Sequence, residues 1–412
     1  MRRVDKKAMR EWNKKLVLSI LHKKRRTTRS EIAQQSGLSL ATITHITARL
    51  AKEDFLTHKG SSLSNGGRRA DILEFNPKAG VLSVMIFEKN RVRIAILDLD
   101  GSLLKEEIFP FSSSHSWSAL FTDCSLIAQQ LSDSITRPSS RAMALCAIFE
   151  GVVDSKNRIL LLSSHLGWKN IPAGTFLEET RNIPTFIESS TRAIARGEYA
   201  LHALSGKKEM LCVNVSDGIG AVQISRGAIA YGGHYLAGEI GHSIVAPKGK
   251  RCLCGRRGCL ETVASGIALA KSSELLNLSP SSSSDTLSRR KAVSLLFEAA
   301  EKKNPYAKRK VRASATYLGR HLAHIAEAVD PEVIILTGYV FEEDPGIFFT
   351  EVKKALHALL FVPSLRKISI LPGIPCSQSI IEGAAAIATS HLFSFSYDMP
   401  PNPVTSYTQE KL

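Results

Sequence analysis

No uninterrupted apolar run in the chain approaches the roughly 20 residues that a membrane-spanning helix requires, so a helical membrane protein is excluded. The basic start Met1-Arg2-Arg3-Val4-Asp5-Lys6-Lys7 is followed by no apolar segment of the secretory type. A cytoplasmic protein is therefore expected. Acidic residues are in deficit, 38 Asp+Glu against 54 Lys+Arg, which leaves a formal charge of +16. Tandem repeats are absent. A hydrophobic fraction of 44% with 22% charged residues excludes a disordered chain and fits a globular one.

At 412 residues the chain is too long for one ordinary core, and two or three domains are expected. Its charge is unevenly spread. Residues 1–80 hold 18 Lys+Arg and 7 Asp+Glu, whereas the remainder carries a net charge of only +5. Such asymmetry points to nucleic acid or another anionic surface as a partner, or to a merely solvated basic face.

Trp12, Leu16, Val17, Ile20 and Leu21 recur at helical spacing and predict an amphipathic helix over residues 10–23, followed by a basic joint, Lys23-Lys24-Arg25-Arg26. The stretch from Arg29 to Thr47 has the layout of a helix-turn-helix. Ala33 is small where two helices cross, Gly37 can take the positive φ of the turn, and Ser39 can cap the next helix. Ile43, Ile46 and Leu50 form the expected buried stripe of that second helix. Ser39, Thr42, Thr44, His45 and Arg49 then lie at its start or on its outer side, where short polar groups reach base edges and phosphates. The bland alternative is a helical hairpin with a polar outer face. Phe55–His58 and Ala70–Phe75 read as short strands around a glycine-rich segment ending in Arg68 and Arg69. This is either a wing whose arginines grip DNA or a surface loop. Asn76-Pro77-Lys78-Ala79-Gly80 closes the segment as a boundary.

Beyond it, Val81–Phe87 and Val92–Leu97 predict a β-hairpin, with a further turn at Asp98–Gly101. Further strands are expected at Ala142–Phe149, Met210–Val215, Gly220–Ile224 and Val333–Leu336, alternating with helical stretches in an α/β architecture. Ser279–Asp285 reads as a low-complexity loop.

Seven cysteines are present. Cys124, Cys146, Cys212 and Cys376 lie in apolar stretches and read as small buried hydrophobes. The other three stand together: Gly238-Glu-Ile-Gly-His242 is followed by Cys252-Leu-Cys254-Gly-Arg-Arg-Gly-Cys259-Leu-Glu261. One imidazole and three thiolates make a tetrahedral set suited to Zn²⁺, and four protein ligands leave no position for a reactive water. His242, Cys252, Cys254 and Cys259 are thus candidate ligands of a structural zinc. The alternative is a set of reduced, metal-free thiols.

The run from Gly238 to Glu261 resembles the signature of the ROK family of repressors and sugar kinases. Leu97–Gly101, Gly151–Asp154, Leu166–Trp168, Asp217–Gly220, Asp330–Ile335 and Gly383–Ala385 extend the resemblance over nearly the whole chain. It implies an α/β fold in which an N-terminal winged helix-turn-helix precedes a two-lobed actin-like (ribonuclease H-like, sugar-kinase-type) domain. On that basis residues 1–80 form the DNA-binding domain. Residues 81–195 form the first lobe, with about 384–400 returning to it; residues 196–383 form the second lobe with the zinc loop, and 401–412 a tail.

The resemblance implies either an ATP-dependent sugar kinase or a sugar-responsive repressor. Kinases of the family carry Asp-x-Gly-Gly-Thr, where backbone N–H groups approach ATP phosphates. The matching residues here are Ile86-Phe87-Glu88-Lys89-Asn90, whose Glu88 repels phosphate. The family's Asn-Asp, the Asp being the general base, corresponds to Ser189-Ser190, with Glu188 the only adjacent carboxylate. No catalytic residue is therefore assigned, and a hexose or N-acylamino-sugar kinase is the rival reading. The family's sugar-contacting positions hold Glu239, His242 and Glu261, although its Asn ahead of Leu-Gly-Trp is His165 here. Glu239 and Glu261 can read sugar hydroxyls or support the zinc loop. The expectation is a repressor of sugar uptake or catabolic genes, a homodimer or higher homo-oligomer, bound to a double-stranded operator and controlled by a sugar or sugar-phosphate effector.

Overall fold

The structure, a computed structural model, describes residues 6–61, 71–112, 115–135, 141–204, 209–277, 286–362 and 364–393. Arg68 and Arg69, the Ser279–Asp285 segment and the tail 401–412 lie outside the described residues.

The N-terminal head contains α1 (Lys6–Lys24), β1 (Arg26–Thr28), α2 (Arg29–Ser36), α3 (Leu40–Lys52), β2 (Leu56–Ser61) and β3 (Asp71–Phe75). The three strands form an antiparallel sheet of order β1-β3-β2. Local chemistry sets the helix ends. Thr28 and Glu31 make a reciprocal capping box at the start of α2. Gly37 ends that helix at φ 70°, its N–H donating to Ala33 O at 3.0 Å. A side chain here would incur the left-handed penalty that glycine avoids. Ser39 then caps α3 by accepting from Thr42 N at 3.2 Å. Val17, Leu21, Ile32, Ile43, Leu50 and Leu73 are fully buried together and hold the helices on the sheet.

Three details of the head depart from expectation. Trp12 is 43% exposed, because the buried stripe of α1 runs through Val17, Leu18 and Leu21. Lys23 to Arg26 is not a joint: Lys23 and Lys24 finish α1, where cations oppose the helix dipole, and Arg26 already belongs to β1. In α3 it is Thr47 that is buried, its hydroxyl bonded to Ile43 O at 2.9 Å, while Ile46 is half-buried.

The body begins with β4 (Gly80–Phe87), β5 (Arg91–Asp98), β6 (Leu103–Pro110), α4 (Trp117–Ile135), β7 (Arg141–Phe149), β8 (Val152–Asp154), β9 (Ile159–Ser163), β10 (Trp168–Ile171), α5 (Ala173–Arg181), β11 (Thr185–Ser189) and α6 (Ser190–Leu201). It continues with β12 (Met210–Val215), β13 (Ile219–Ser225), β14 (Ala228–Ile229), α7 (Glu261–Ala264), α8 (Gly266–Glu274), α9 (Thr286–Glu301), α10 (Pro305–Val329), β15 (Val333–Thr337), α11 (Tyr339–Glu342), α12 (Ile347–His357), β16 (Ser369–Pro372) and α13 (Cys376–Phe393).

Two five-stranded sheets have orders β11-β7-β4-β5-β6 and β14-β13-β12-β15-β16. In each, the first strand is central. Its antiparallel hairpin partner lies on one side, and two parallel strands lie on the other. The same topology is thus used twice, although the sequence shows no tandem repeat. This is the expected two-lobed actin-like architecture, with a small sheet β10-β9-β8 added to the first lobe. The hairpin β4–β5 and the strands β7, β12, β13 and β15 fall where the residue patterns place them. Strands β6, β8 to β11, β14 and β16 were not anticipated. Strand β6, exposed throughout except at Phe109, lacks in–out alternation, and β14 is only two residues long.

The chain crosses between lobes at α6 and returns at α13, and these two helices cross at glycines. A Cβ on Gly197 would lie 1.9 Å from Ser379 O, and one on Gly383 would lie 1.8 Å from Ala193 O. Only glycine permits this backbone approach. The other face of α13 packs with β4 and β7, and its end meets the head: Phe393 contacts His22 and Phe75 with ring centroids 4.7 and 5.9 Å away.

Candidate functional site

The first candidate surface is α3. Ser39, Thr44, His45 and Arg49 are exposed and Thr42 is half-buried, so the helix turns a polar row outward while Ile43, Thr47 and Leu50 anchor it. Several of these groups are already engaged. Ser39 Oγ and Thr42 Oγ1 are 2.9 Å apart, and Thr44 Oγ1 donates to Leu40 O at 2.8 Å. Arg49 is tied back to the body of the head, with Nε 3.0 Å from Glu53 Oε1 and Nη1 3.2 Å from Glu11 Oε1. These acidic partners hold its guanidinium at the C-terminal end of α3. Leu40, 53% exposed beside them, is an apolar contribution to this face that the residue pattern did not single out.

The second candidate is the cleft between the lobes. At one end the β4–β5 turn is a tight hairpin: Glu88 N donates to Arg91 O at 3.0 Å, and the two side chains form an ion pair. Glu88 and Asp217 bear on Glu150, at the end of β7. Burial first, and then those two charges, push the Glu150 carboxyl up to about 7. Asp217 is held by Arg289, whose Nε lies 2.9 Å from Oδ1, by Tyr339 OH at 2.8 Å and by Thr286 Oγ1 at 3.1 Å. Burial works to raise Asp217, but these donors outweigh it and keep the group below the usual range. Three carboxylates therefore gather here, two of them paired with Arg91 and Arg289.

Elsewhere along the cleft, Ser189 caps α6 and Ser190 is its first residue. Neither hydroxyl is a base near neutral pH. Glu188 is buried, 1% exposed, and consumed by structure. Its Oε1 is 2.8 Å from Arg192 Nη1, and its Oε2 accepts from Tyr231 OH at 3.0 Å. Arg192 also donates to Val153 O at 3.0 Å and Tyr235 O at 2.6 Å, with its guanidinium over both tyrosine rings. Arg192, Tyr231 and Tyr235 shape this end of the cleft. The residue pattern gave no sign of them except the four-residue spacing from Glu188 to Arg192.

Glu239, His242 and Glu261 meet on the opposite wall. Desolvation by that wall raises Glu239 above the ordinary carboxylate range; His242 works to lower it, and Glu261 adds to the rise. Glu261 Oε1 accepts from Ile219 N at 3.1 Å and its Oε2 lies 3.7 Å from His242 Nδ1, so this carboxylate braces the loop and the imidazole. His165 is exposed, just before β10.

His242, Cys252, Cys254 and Cys259 are brought together, with ligand atoms all within 4.8 Å of one another. His242 Nδ1 and Cys252 Sγ are 3.7 Å apart, and Cys254 Sγ and Cys259 Sγ 3.6 Å. A tetrahedral thiolate site with metal–sulfur bonds of about 2.3 Å has edges of about 3.8 Å, so the donor set fits a four-coordinate metal such as zinc. Hydrogen bonds from Arg256 hold the Cys254 thiol down to about 6, whereas burial pushes Cys259 up to about 12. Gly258 lets the loop close: a Cβ there would lie 1.7 Å from Ala246 O.

Comparison with known proteins adds the following. The profile of the ROK family matches residues 89–391, and that of a winged helix-turn-helix DNA-binding domain matches residues 13–57. The xylose repressor of Bacillus spizizenii is 25% identical over 390 residues, covering 94% of this chain and 97% of the relative. The DNA-binding transcriptional dual regulator NagC of Escherichia coli is 28% identical over 319 residues, covering 77% and 78%. A solved ROK family transcriptional regulator, homologous to the Escherichia coli MLC protein, superposes with a TM-score of 0.78 at 22% identity, covering 93% of this chain and 97% of that one.

Proposed function

The chain belongs to the ROK family, and from that premise we propose that it is a cytoplasmic, DNA-binding repressor of sugar uptake or catabolic genes whose body has lost kinase chemistry. The observation that carries this reading is the pairing of an outward polar α3 with a cleft whose phosphate end holds Glu88, Glu150 and Asp217. Two relatives of nearly matching layout are a xylose repressor and NagC, which supports regulation over catalysis.

In this reading Ser39, Thr42, Thr44 and His45 face the major groove, while Arg49 positions α3 and Arg68 and Arg69 form the wing. A homodimer presents two heads to a two-fold operator. The cluster of His242 and three cysteines holds one structural Zn²⁺, which supplies a crosslink between the Glu239–His242 segment and the loop. Glu239 and His242 bind hydroxyls of a sugar or sugar-phosphate effector, with Glu261 positioning His242. The effector favours a lobe arrangement that misplaces the heads.

Selection of duplexes from random DNA tests the first step, with Thr44→Ala and His45→Ala as variants. Each substitution should cost about 1–3 kcal/mol on the selected duplex and little on an unrelated one. Equal losses on both duplexes would remove α3 as the reader of sequence.

A further inference from the structure

Arg29 is the first residue of α2, where a cation opposes the helix dipole and adds nothing to the helix. Its guanidinium instead joins a chain of side chains that links four elements of the head. Nε donates to Thr47 Oγ1 of α3 at 3.2 Å, and Nη1 donates to Asp71 Oδ2 of β3 at 3.1 Å. The same Asp71 oxygen lies 2.7 Å from His58 Nδ1 of β2. Thr47 is buried, and its hydroxyl donates in turn to Ile43 O. The chain therefore runs from the inner side of α3, through α2, to both strands that flank Arg68 and Arg69. Asp71 follows Arg69 by two positions, and the β2–β3 register shifts between His58 and Ser61. A shift of this kind disrupts the backbone ladder locally, so side chains take a larger share in holding this end of the sheet.

We propose that Asp71 is a positioning residue for duplex binding: it holds Arg29 so that the remaining Nη2 donor meets a backbone phosphate beside α3. This rests on the reading of the head as a DNA-binding unit and deepens it. Arg29 is partly exposed, and among the described residues nothing accepts from its Nη2. A planar fork already fixed by Thr47 and Asp71 has given up most of its rotamer freedom, so a phosphate that joins the third donor costs little further ordering. His58 steadies the Asp71 carboxylate from β2. The first helix of a helix-turn-helix crosses the DNA backbone while the second enters the major groove. A phosphate held at the start of α2 then sets the depth and angle of α3 without reading a base. Arg49, by contrast, is paired with both Glu11 and Glu53.

Charge gives the proposal a sign. Removing the Asp71 carboxylate makes the head more positive, and undirected attraction to DNA then strengthens. If Asp71 positions Arg29, the same change weakens binding.

The test is fluorescence anisotropy of the full-length chain on a duplex selected from random DNA, across about 50 to 200 mM salt. The variants are Arg29→Gln, Arg29→Lys, Asp71→Asn and Asp71→Glu, each checked for native circular dichroism and melting. Arg29→Gln should weaken binding about tenfold or more and flatten the salt slope by about one. Arg29→Lys should keep the slope yet lose affinity, because an ammonium cannot span Thr47 and Asp71 together. Asp71→Asn should weaken binding about fivefold or more, and Asp71→Glu should restore part of the loss. Asp71→Asn binding as tightly as the wild type or more tightly would overturn the proposal, as would an unchanged slope in Arg29→Gln or wild-type affinity in Arg29→Lys. A loss shared equally by Asp71→Asn and Asp71→Glu, and matched by a lower melting temperature, would reduce Asp71 to a strut of the fold. Each of these results leaves the head a DNA-binding unit. A wild type that binds no duplex would overturn that reading and this one together.

Discussion

Acidification should loosen the joint between head and body, and His22 is the group responsible. Its ring sits between Phe75 and Phe393, with centroids 5.2 and 4.7 Å away, and Nε2 lies 3.4 Å from Leu99 O. Burial, reinforced by the neighbouring Arg25 charge, lowers its pKa from 6.5 to about 4. The sign follows from linkage. Above 6.5 the imidazole is neutral in both states and contributes nothing. Between 6.5 and 4 the opened chain binds a proton that the closed joint refuses, so stability falls as pH falls. The loss is about 2 kcal/mol at pH 5 and approaches about 3 kcal/mol near pH 4. Hydrogen exchange at the amide of Leu99, which donates to Pro77 O at 3.0 Å where the body meets the segment closing the head, reads the opening directly. His22→Phe keeps a ring in place and removes the titration. Between pH 7.5 and 5 the wild type should lose about 30-fold more protection than the variant, after correction for intrinsic rates. Identical pH slopes in the two proteins would refute the assignment.

Three further outcomes are expected. Gly383→Ala sets a methyl against Ala193 O at the α6–α13 crossing and should cost about 3 kcal/mol or more, seen as a lower melting temperature. Glu150→Gln removes a carboxyl held at about 7; because its folded pKa is raised, the wild type is penalised above pH 4.5, most of all above pH 7. The variant should therefore gain about 1–3 kcal/mol at pH 8 and nothing near pH 4, by denaturant titration at both values. Replacing Cys252 and Cys254 with Ser should release about one zinc per chain, measured by elemental analysis, and lower stability, whereas full metal content would refute the ligand set.

Much of this was legible in the residues because it is written in local chemistry. The turn of the head needs Gly37 and Ser39, and the cluster of His242 with three cysteines declares itself by three thiols within eight positions and a nearby imidazole. The parts that were not legible depend on distant partners. Trp12 shares the helical spacing of Leu16 and Ile20 but falls off the buried stripe once α1 packs. Arg192 drew no reading from the sequence, because its donors end on Val153, Glu188 and Tyr235, which only the fold brings together. The duplicated sheet topology leaves no sequence repeat, because each lobe packs different helices on the same strand order. Glu188, just ahead of Ser189 and Ser190, is buried against Arg192 and Tyr231, which take up both of its carboxylate oxygens.

The central claim is that the head grips duplex DNA while the body cannot use ATP. A phosphotransfer assay with ATP over a panel of monosaccharides, run on the same preparation whose duplex affinity is measured, tests both halves at once. The account predicts salt-dependent, sequence-selective duplex binding with no sugar phosphate formed. Sugar phosphorylation without affinity for any duplex would contradict it.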